Sequence, residues 1–292
     1  MNVPSSSSHN RALVLGGGGS TGNAWLIGVI AGLVDGGLDV TDADLLVGTS
    51  AGATAAVQLA GARPAELYAQ TLTPVPPRPP RPAPAGDRPT GVQRVQAIID
   101  ASTDLDDMRR RMSASALELD AESGDDWSDR WRSIVAARLP LAAWPERRIL
   151  ITAVDARTAE PVVFDRDSGV GLADAVAAST SSAQPLRIGD GRYIDGGYRV
   201  NAENADLAAG YARVLVLSPF GGRSLAPAAW GTHLSAQADA LRAAGSRVEV
   251  VGPESEALHG ENAMDVSLRP AAARAGHAQG VALAPALAPF WA

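Results

Sequence analysis

The stretch ALVLGGGGSTG, residues 12–22, decides the fold that this sequence predicts. Its four apolar residues are typical of a short buried strand, and a run of glycines follows them. Apolar residues then recur at helical spacing from Trp25 to Leu33, and Gly36-Gly37 ends the predicted helix. A strand that passes through glycines into a helix places backbone N–H groups where they can bind an anion. The sequence therefore predicts a strand–helix unit with an anion-binding connection.

Strand and helix patterns alternate along most of the remaining sequence, which predicts an α/β fold. We expect a three-layer α/β/α arrangement with a mainly parallel central sheet. The sequence has no internal repeat and no sign of a second domain, so residues 11–292 are predicted to form one domain. Further strands are expected at residues 45–47, 148–154, 161–164, 193–194, 213–217 and 247–251. Helices are expected at residues 53–60, 91–138, 171–178 and 230–244, and from about Pro270.

The composition excludes several classes of protein. The formal net charge of -7 argues against non-specific binding to nucleic acid, which needs a basic surface. The sequence contains no cysteine, which excludes disulfides, a thiol nucleophile and thiolate metal sites, and fits a reducing, cytoplasmic compartment. No apolar stretch reaches the ~18 residues of a membrane-spanning helix. No metal or diffusible cofactor is implied.

Three segments depart from the regular pattern. Residues 1–10 are Ser-rich, lack the apolar core of a secretory signal and are predicted to be a disordered tail. Residues 74–89 are rich in proline, which predicts an exposed connection or a flap, with contact to a proline-recognising partner as the alternative. Residues 281–292 are apolar but interrupted by Pro285 and Pro289. We expect this last segment to dock on the domain, with contact to a lipid surface as the alternative.

A candidate nucleophile lies in Gly48-Thr49-Ser50-Ala51-Gly52, between a predicted strand and a predicted helix. Glycines two residues before and two residues after the serine allow the strand and the helix to approach closely at a strained turn. The hydroxyl group then projects at the helix N-terminus, where N–H groups favour a developing oxyanion or a more acidic serine. The five-residue pattern is common by chance, but its place between strand and helix is the context that a nucleophilic serine requires.

A candidate base lies in Asp195-Gly196-Gly197, directly after the short strand predicted at residues 193–194. An Asp–Gly pair alone is usually only a turn, but here a strand would deliver the carboxylate to a sheet edge. A Ser–Asp–His triad is the alternative, since that chain order occurs in α/β-hydrolases. None of the histidines follows a strand, and His259 is the best placed of the four: His9, His233, His259 and His277. We therefore prefer a direct Ser50–Asp195 pair.

The pattern Gly17-x-Gly19-x-x-Gly22 also matches the dinucleotide-binding fingerprint. That class of protein carries an acidic residue at the end of the second strand, which holds the ribose. Here the second strand ends in Gly48-Thr49-Ser50, so the second anchor of a nucleotide site is missing. As an oxyanion hole, the same glycines offer consecutive N–H donors to a tetrahedral intermediate. Binding of a nucleotide by residues 17–22 remains the alternative interpretation.

Together, the three glycine-rich strings resemble the motifs of the patatin-like phospholipase family. The strings are Gly17–Gly22, Gly48–Gly52 and Asp195–Gly197, and residues 178–185, ASTSSAQP, resemble the stretch that precedes the Asp motif in that family. The resemblance runs from about Ala12 to Leu217. It implies a fold related to doubly wound α/β hydrolases and a Ser–Asp dyad that cleaves acyl esters. A lipid substrate would in turn require at least transient, peripheral contact with a membrane surface.

The resemblance also implies a role for each matching residue. Ser50 would be the nucleophile, Asp195 the proton acceptor, and Gly17, Gly18 and Gly19 the oxyanion hole. Because an aspartate is a weak base unless burial raises its pKa, we expect the surrounding pocket to be largely apolar. The remaining glycines would support the turns: Gly22, Gly48, Gly52, Gly196 and Gly197.

One residue departs from the family pattern. The family usually carries Arg or Lys immediately before the last glycine of the first motif, where this chain has Thr21. A fixed positive charge near the oxyanion or a lipid phosphate is therefore missing from the motif, which weakens the case for phospholipids more than that for ester hydrolysis. A second alternative is thus a catalytically weak or silent interaction protein with the same fold and a contact surface at residues 74–89.

Overall fold

The computed structural model describes residues 11–73, 91–122, 126–255 and 260–292. The expectations for the tail at residues 1–10, for the proline-rich segment at residues 74–89, and for His9 and His259 concern residues outside these ranges. None of the described helices is both long enough and apolar enough to cross a membrane.

The described strands form one sheet. They are β1 (Arg11–Leu15), β2 (Leu45–Gly48), β3 (Arg148–Asp155), β4 (Glu160–Phe164), β5 (Leu186–Ile188), β6 (Gly191–Asp195), β7 (Arg213–Leu217) and β8 (Arg247–Val251). Their spatial order is β5-β6-β3-β2-β1-β7-β8, with β4 paired to β3. Five neighbouring strands, from β3 through β1 to β8, are parallel. The pairings of β4 and β6 with β3, and of β5 with β6, are antiparallel.

Helices cover both faces of this sheet. The described helices are α1 (Gly19–Asp35), α2 (Ala51–Gly61), α3 (Pro64–Thr71), α4 (Gly91–Asp100), α5 (Leu105–Glu122), α6 (Asp126–Ala136), α7 (Leu172–Ser179), α8 (Leu234–Ala243) and α9 (Arg269–Trp291). Because successive side chains of a strand point to opposite faces, Leu13 and Leu15 pack with α1, α2, α7 and α9, while Ala12 and Val14 pack with α8. On the second face α4 and α5 also contact β3 and β6. The predicted three-layer α/β/α fold with a mainly parallel sheet is confirmed.

Helices α1 and α9 contact each other backbone to backbone. A Cβ atom added to Gly32 would lie 2.1 Å from the carbonyl oxygen of His277, and one added to Gly280 would lie 2.2 Å from that of Val29. One turn away, Cβ atoms on Gly28 and Gly276 would lie 2.2 and 2.5 Å from backbone carbonyl oxygens of the facing helix. Four glycines, spaced four residues apart on each helix, therefore set the distance between these two helices.

The final helix includes Pro285 and Pro289 and continues to Trp291, whose buried indole donates to Asp42 Oδ1 at 3.1 Å. Burial of the helix end against the core outweighs the backbone hydrogen bonds that the prolines remove. The helix predicted from Trp230 begins only at Leu234, because Gly231 has a left-handed φ of 67° and ends a separate 3-10 turn.

Candidate active site

Ser50 occupies a strained turn between β2 and α2. Its φ of 52° and ψ of -115° lie in a region that residues other than glycine rarely adopt. The turn is possible only because Gly52 has no side chain: a Cβ atom there would lie 1.8 Å from the carbonyl oxygen of Leu15. Gly48 is similarly close to Ala53. The structure thus gives Ser50 the strand–turn–helix setting of a nucleophile elbow.

A hydrogen bond to the end of α7 holds this turn in place. The backbone N–H of Ser50 donates to Oγ of Ser179 at 2.9 Å, and Ser179 is fully buried at the end of α7. Sequence reasoning noted the stretch 178–185 but assigned no role to this serine. Because 129 residues separate Ser179 from Ser50, the local sequence gives no sign of this hydrogen bond.

Asp195 ends β6 and lies against Ser50. Its Oδ2 atom accepts a hydrogen bond from Ser50 Oγ at 2.8 Å, and its Oδ1 atom accepts one from the Gly197 N–H at 2.8 Å. The turn that follows is pressed against β3, since a Cβ atom on Gly196 would lie 2.1 Å from Thr152 Oγ1. Only 7% of Asp195 is exposed. The carboxylate is therefore fixed by a serine on one side and a backbone amide on the other.

Burial raises the pKa of Asp195 to about 6, and the hydrogen bonds from Gly197 and Ser50 act in the opposite direction. At neutral pH most of the carboxyl groups are then ionised, yet each is a stronger base than an exposed aspartate. Asp195 therefore has the protonation state that removal of a proton from Ser50 requires.

The glycine loop supplies fewer free donors than the sequence predicts. Gly17 was predicted to line the oxyanion hole together with Gly18 and Gly19. Its N–H, however, already donates to the carbonyl oxygen of Ala202 at 2.8 Å and is therefore not free. Within the described residues, the N–H groups of Gly18 and Gly19 have no hydrogen-bond acceptor. The same holds for Ala51, directly after Ser50. The N–H after the nucleophile is a common oxyanion donor in α/β hydrolases, and this rule could have indicated Ala51 from the sequence.

Thr21 is fully buried, and its N–H donates to the carbonyl oxygen of Ala263 at 3.0 Å. A cation nevertheless reaches this loop from the first turn of α9. Arg269 donates through Nη1 to the Ser20 carbonyl oxygen at 2.8 Å and through Nη2 to Asn23 Oδ1 at 3.1 Å. Burial, and then the charge of Arg138, lower the pKa of this guanidinium. Sequence reasoning missed Arg269 because 249 residues separate it from Ser20.

The two described histidines lie elsewhere. His233 Nε2 is 2.8 Å from the carbonyl oxygen of Ala226, and His277 Nε2 is 2.8 Å from Asp35 Oδ2. Neither contacts Ser50 or Asp195. The residues that the structure describes also contain no cluster of three or more His, Asp or Glu side chains able to hold a metal ion. Among those residues, Asp195 is the partner of the Ser50 hydroxyl group.

A family model described as patatin-like phospholipase matches residues 13–208, which include the glycine loop, Ser50 and Asp195. The crystal structure of VipD from Legionella pneumophila is 15% identical at a TM-score of 0.44, and the match covers 96% of this chain and 67% of that one. The type III effector protein ExoU is 15% identical at a TM-score of 0.35, and the match covers 94% of this chain but only 54% of ExoU. No curated protein sequence matches.

Proposed function

This chain belongs to the patatin-like phospholipase family, and we propose that it cleaves carboxylic ester bonds of lipids with Ser50 as nucleophile and Asp195 as base. The observation that carries this proposal is the 2.8 Å hydrogen bond from Ser50 Oγ to Asp195 Oδ2 at a strained strand–helix turn. Nucleophile and base within hydrogen-bond reach are the signature of covalent catalysis by a serine.

In the first half of the reaction, Asp195 accepts the Ser50 proton while Oγ attacks the ester carbonyl carbon. The negative charge that forms on the carbonyl oxygen would be stabilised by the unoccupied N–H groups of Gly18, Gly19 and Ala51. Asp195 then donates the proton to the departing alcohol oxygen, which leaves an acyl group on Ser50.

In the second half, Asp195 takes a proton from water, and the resulting hydroxide attacks the acyl carbonyl carbon. The intermediate collapses by breaking its bond to Oγ, and the proton returns from Asp195 to Ser50. The fatty acid is released, and both side chains regain their starting states. The same carboxylate thus acts twice as base and twice as acid.

Because a lipid substrate lies at an interface, we infer that the protein contacts the membrane surface peripherally and transiently. A cytoplasmic location is proposed with it, since a sequence without cysteine fits a reducing compartment. One exposed apolar residue lies at the site and supports the membrane contact. Met264 is 73% exposed, and its sulfur would lie 2.9 Å from a Cβ atom on Gly19. A flexible methionine beside the glycine loop can pack against an acyl chain.

Hydrolysis of p-nitrophenyl esters of graded chain length tests the proposal. We expect Ser50→Ala and Asp195→Asn each to lower kcat about 1,000-fold or more. His233→Ala and His277→Ala are the controls and should retain activity. The proposal is wrong if Asp195→Asn remains active, or if His259→Ala abolishes activity and so indicates a triad.

Two further measurements address the alternatives. A silent interaction protein would not react with a fluorophosphonate probe, whereas a nucleophilic Ser50 should be labelled and Ser50→Ala should not. A nucleotide-binding protein would bind a dinucleotide in titrations, and Ser50→Ala would leave that binding unchanged.

A further inference from the structure

The side-chain amide of Asn204 lies between the turn that carries Ser50 and the turn that carries Asp195. Its Nδ2 atom is 3.0 Å from Thr49 Oγ1 and 2.9 Å from the carbonyl oxygen of Gly196. Thr49 directly precedes Ser50, and Gly196 directly follows Asp195. A single amide group therefore contacts the neighbour of each member of the pair.

The contacts of this amide are closed to water. Asn204, Thr49 and Thr152 are all fully buried, and the two threonine hydroxyl oxygens lie 2.9 Å apart. Nδ2 of Asn204 also approaches Thr152 Oγ1 at 3.4 Å and the Asn201 carbonyl oxygen at 3.1 Å. A buried hydrogen bond that is lost cannot be replaced by solvent, so each contact resists displacement. Together they join the β2 turn, β3 and the β6 turn.

The orientation of the amide is itself determined. Asn204 Oδ1 accepts a hydrogen bond from Arg199 Nη1 at 3.1 Å, which directs Nδ2 toward the two turns. The backbone of Asn204 is left-handed, with a φ of 54°, and its N–H donates to Asn201 Oδ1 at 2.7 Å. Asparagine is among the few residues that adopt this conformation readily. The residue type, the backbone conformation and the direction of the amide thus all favour an Nδ2 group held against the two turns.

We propose that Asn204 is a positioning residue that holds the Ser50 and Asp195 turns at the separation needed for proton transfer. This inference rests on the proposed function. The two reacting groups come from separate strands, and a displacement of ~1 Å can lower an enzymatic rate about 100-fold. Asn204 touches neither reacting atom and acts through Thr49 and Gly196.

Two substitutions distinguish the contribution of the Asn204 amide from that of its left-handed backbone. Asn204→Gly preserves the left-handed conformation and removes the amide, and Asn204→Asp preserves the shape but replaces the donor with an oxygen. We expect kcat for p-nitrophenyl butyrate to fall about 10- to 100-fold in both, with KM changed less than about threefold. The apparent pKa of the kcat/KM profile should also rise, because the hydrogen bond from Ser50 lowers the pKa of Asp195.

The matched control is Ser246→Ala, which removes a buried hydrogen bond of 2.7 Å to the Tyr211 carbonyl oxygen just before β8. It should lower stability without changing kcat or the pH profile. If Asn204→Gly does not fold, Thr49→Val removes the acceptor from the other side and provides the same test. Folded variants at Asn204 or Thr49 with the kcat and pH profile of the unsubstituted protein would overturn the inference. Equal rates for the unsubstituted protein and Ser50→Ala would instead refute the proposed function.

Discussion

The hydroxyl oxygen of Ser50 lies 2.8 Å from Oδ2 of Asp195, although 145 residues separate the two in the chain. The two residues are brought together because β3 extends beyond the end of β2, and we call this extension the β3 overhang. The last β2 residue, Gly48, pairs with Ile151, but β3 continues to Asp155. The antiparallel strand β6 pairs with this extension and places Asp195 opposite Ala153. Asp195 therefore arrives beside Ser50 from a strand of opposite direction.

Activity should depend on one ionisation near pH 6. Asp195 must be deprotonated to accept the Ser50 proton, and burial raises its pKa to about 6. We therefore expect kcat/KM to rise with pH through about 6 and to level off above it. A pH–rate profile with a neutral p-nitrophenyl ester measures this directly. An inflection near pH 4 would mean that water reaches the carboxylate.

The same burial should make Asp195 unfavourable for stability at neutral pH. Because its pKa is higher in the folded protein than the value of ~3.9 expected in the unfolded chain, ionisation destabilises the fold as pH rises from about 4 to about 6. Asparagine does not ionise. The free energy of unfolding of Asp195→Asn, relative to that of the unsubstituted protein, should therefore rise by up to about 3 kcal/mol between pH 4 and pH 6.

Urea denaturation at several pH values measures that difference. Burial likewise raises the pKa of Glu203, to about 7, but Glu203 is present in both proteins and its contribution cancels. A stability difference that does not change between pH 4 and pH 7 would contradict the assigned shift.

Gly196 should tolerate no side chain. A Cβ atom there would lie 2.1 Å from Thr152 Oγ1 and 2.3 Å from the Thr152 carbonyl oxygen, so β3 would have to move. We expect Gly196→Ala to reduce the free energy of unfolding by about 3 kcal/mol and to lower kcat. The control is Gly91→Ala at the start of α4, where no atom of the described residues lies within 4 Å of the new atom. Equal melting temperatures for the two variants would show that the turn can relax.

Ser179 should matter for both stability and rate. Ser179→Ala leaves the N–H of Ser50 without its acceptor in a strained turn, which we expect to cost about 1–3 kcal/mol of stability. The strained φ of Ser50 should then relax, and kcat should fall about 10-fold or more. Thermal denaturation and single-turnover labelling of Ser50 by a fluorophosphonate measure the two effects. Unchanged labelling in a destabilised variant would restrict Ser179 to a structural role.

The sequence predicted the local parts of this site and the layers of the fold. The strand–turn–helix form of Gly48–Gly52 could be predicted from the local sequence, because two glycines flank Ser50 between an apolar strand and a helix. The contacts that hold this turn, with Leu15 and Ser179, could not. The short strand before Asp195 and the family resemblance both predict that Asp195 approaches Ser50. The β3 overhang that produces this approach depends on strand register, which the sequence does not show. The occupied N–H of Gly17 and the cation of Arg269 depend on Ala202 and α9, far away in the chain. Long-range contacts of this kind leave no periodic pattern.

The interlocked glycines of α1 and α9 have a consequence for the order in which the protein is made. The indole N–H of Trp25 donates to Gln279 Oε1, 254 residues further along the chain. At the usual rates of translation this partner appears roughly 13 to 50 s after Trp25 has been added. For that interval the glycine-lined, apolar face of α1 has no cover in the nascent polypeptide. We therefore expect a chaperone that covers this face of α1 during synthesis to raise the yield of folded protein.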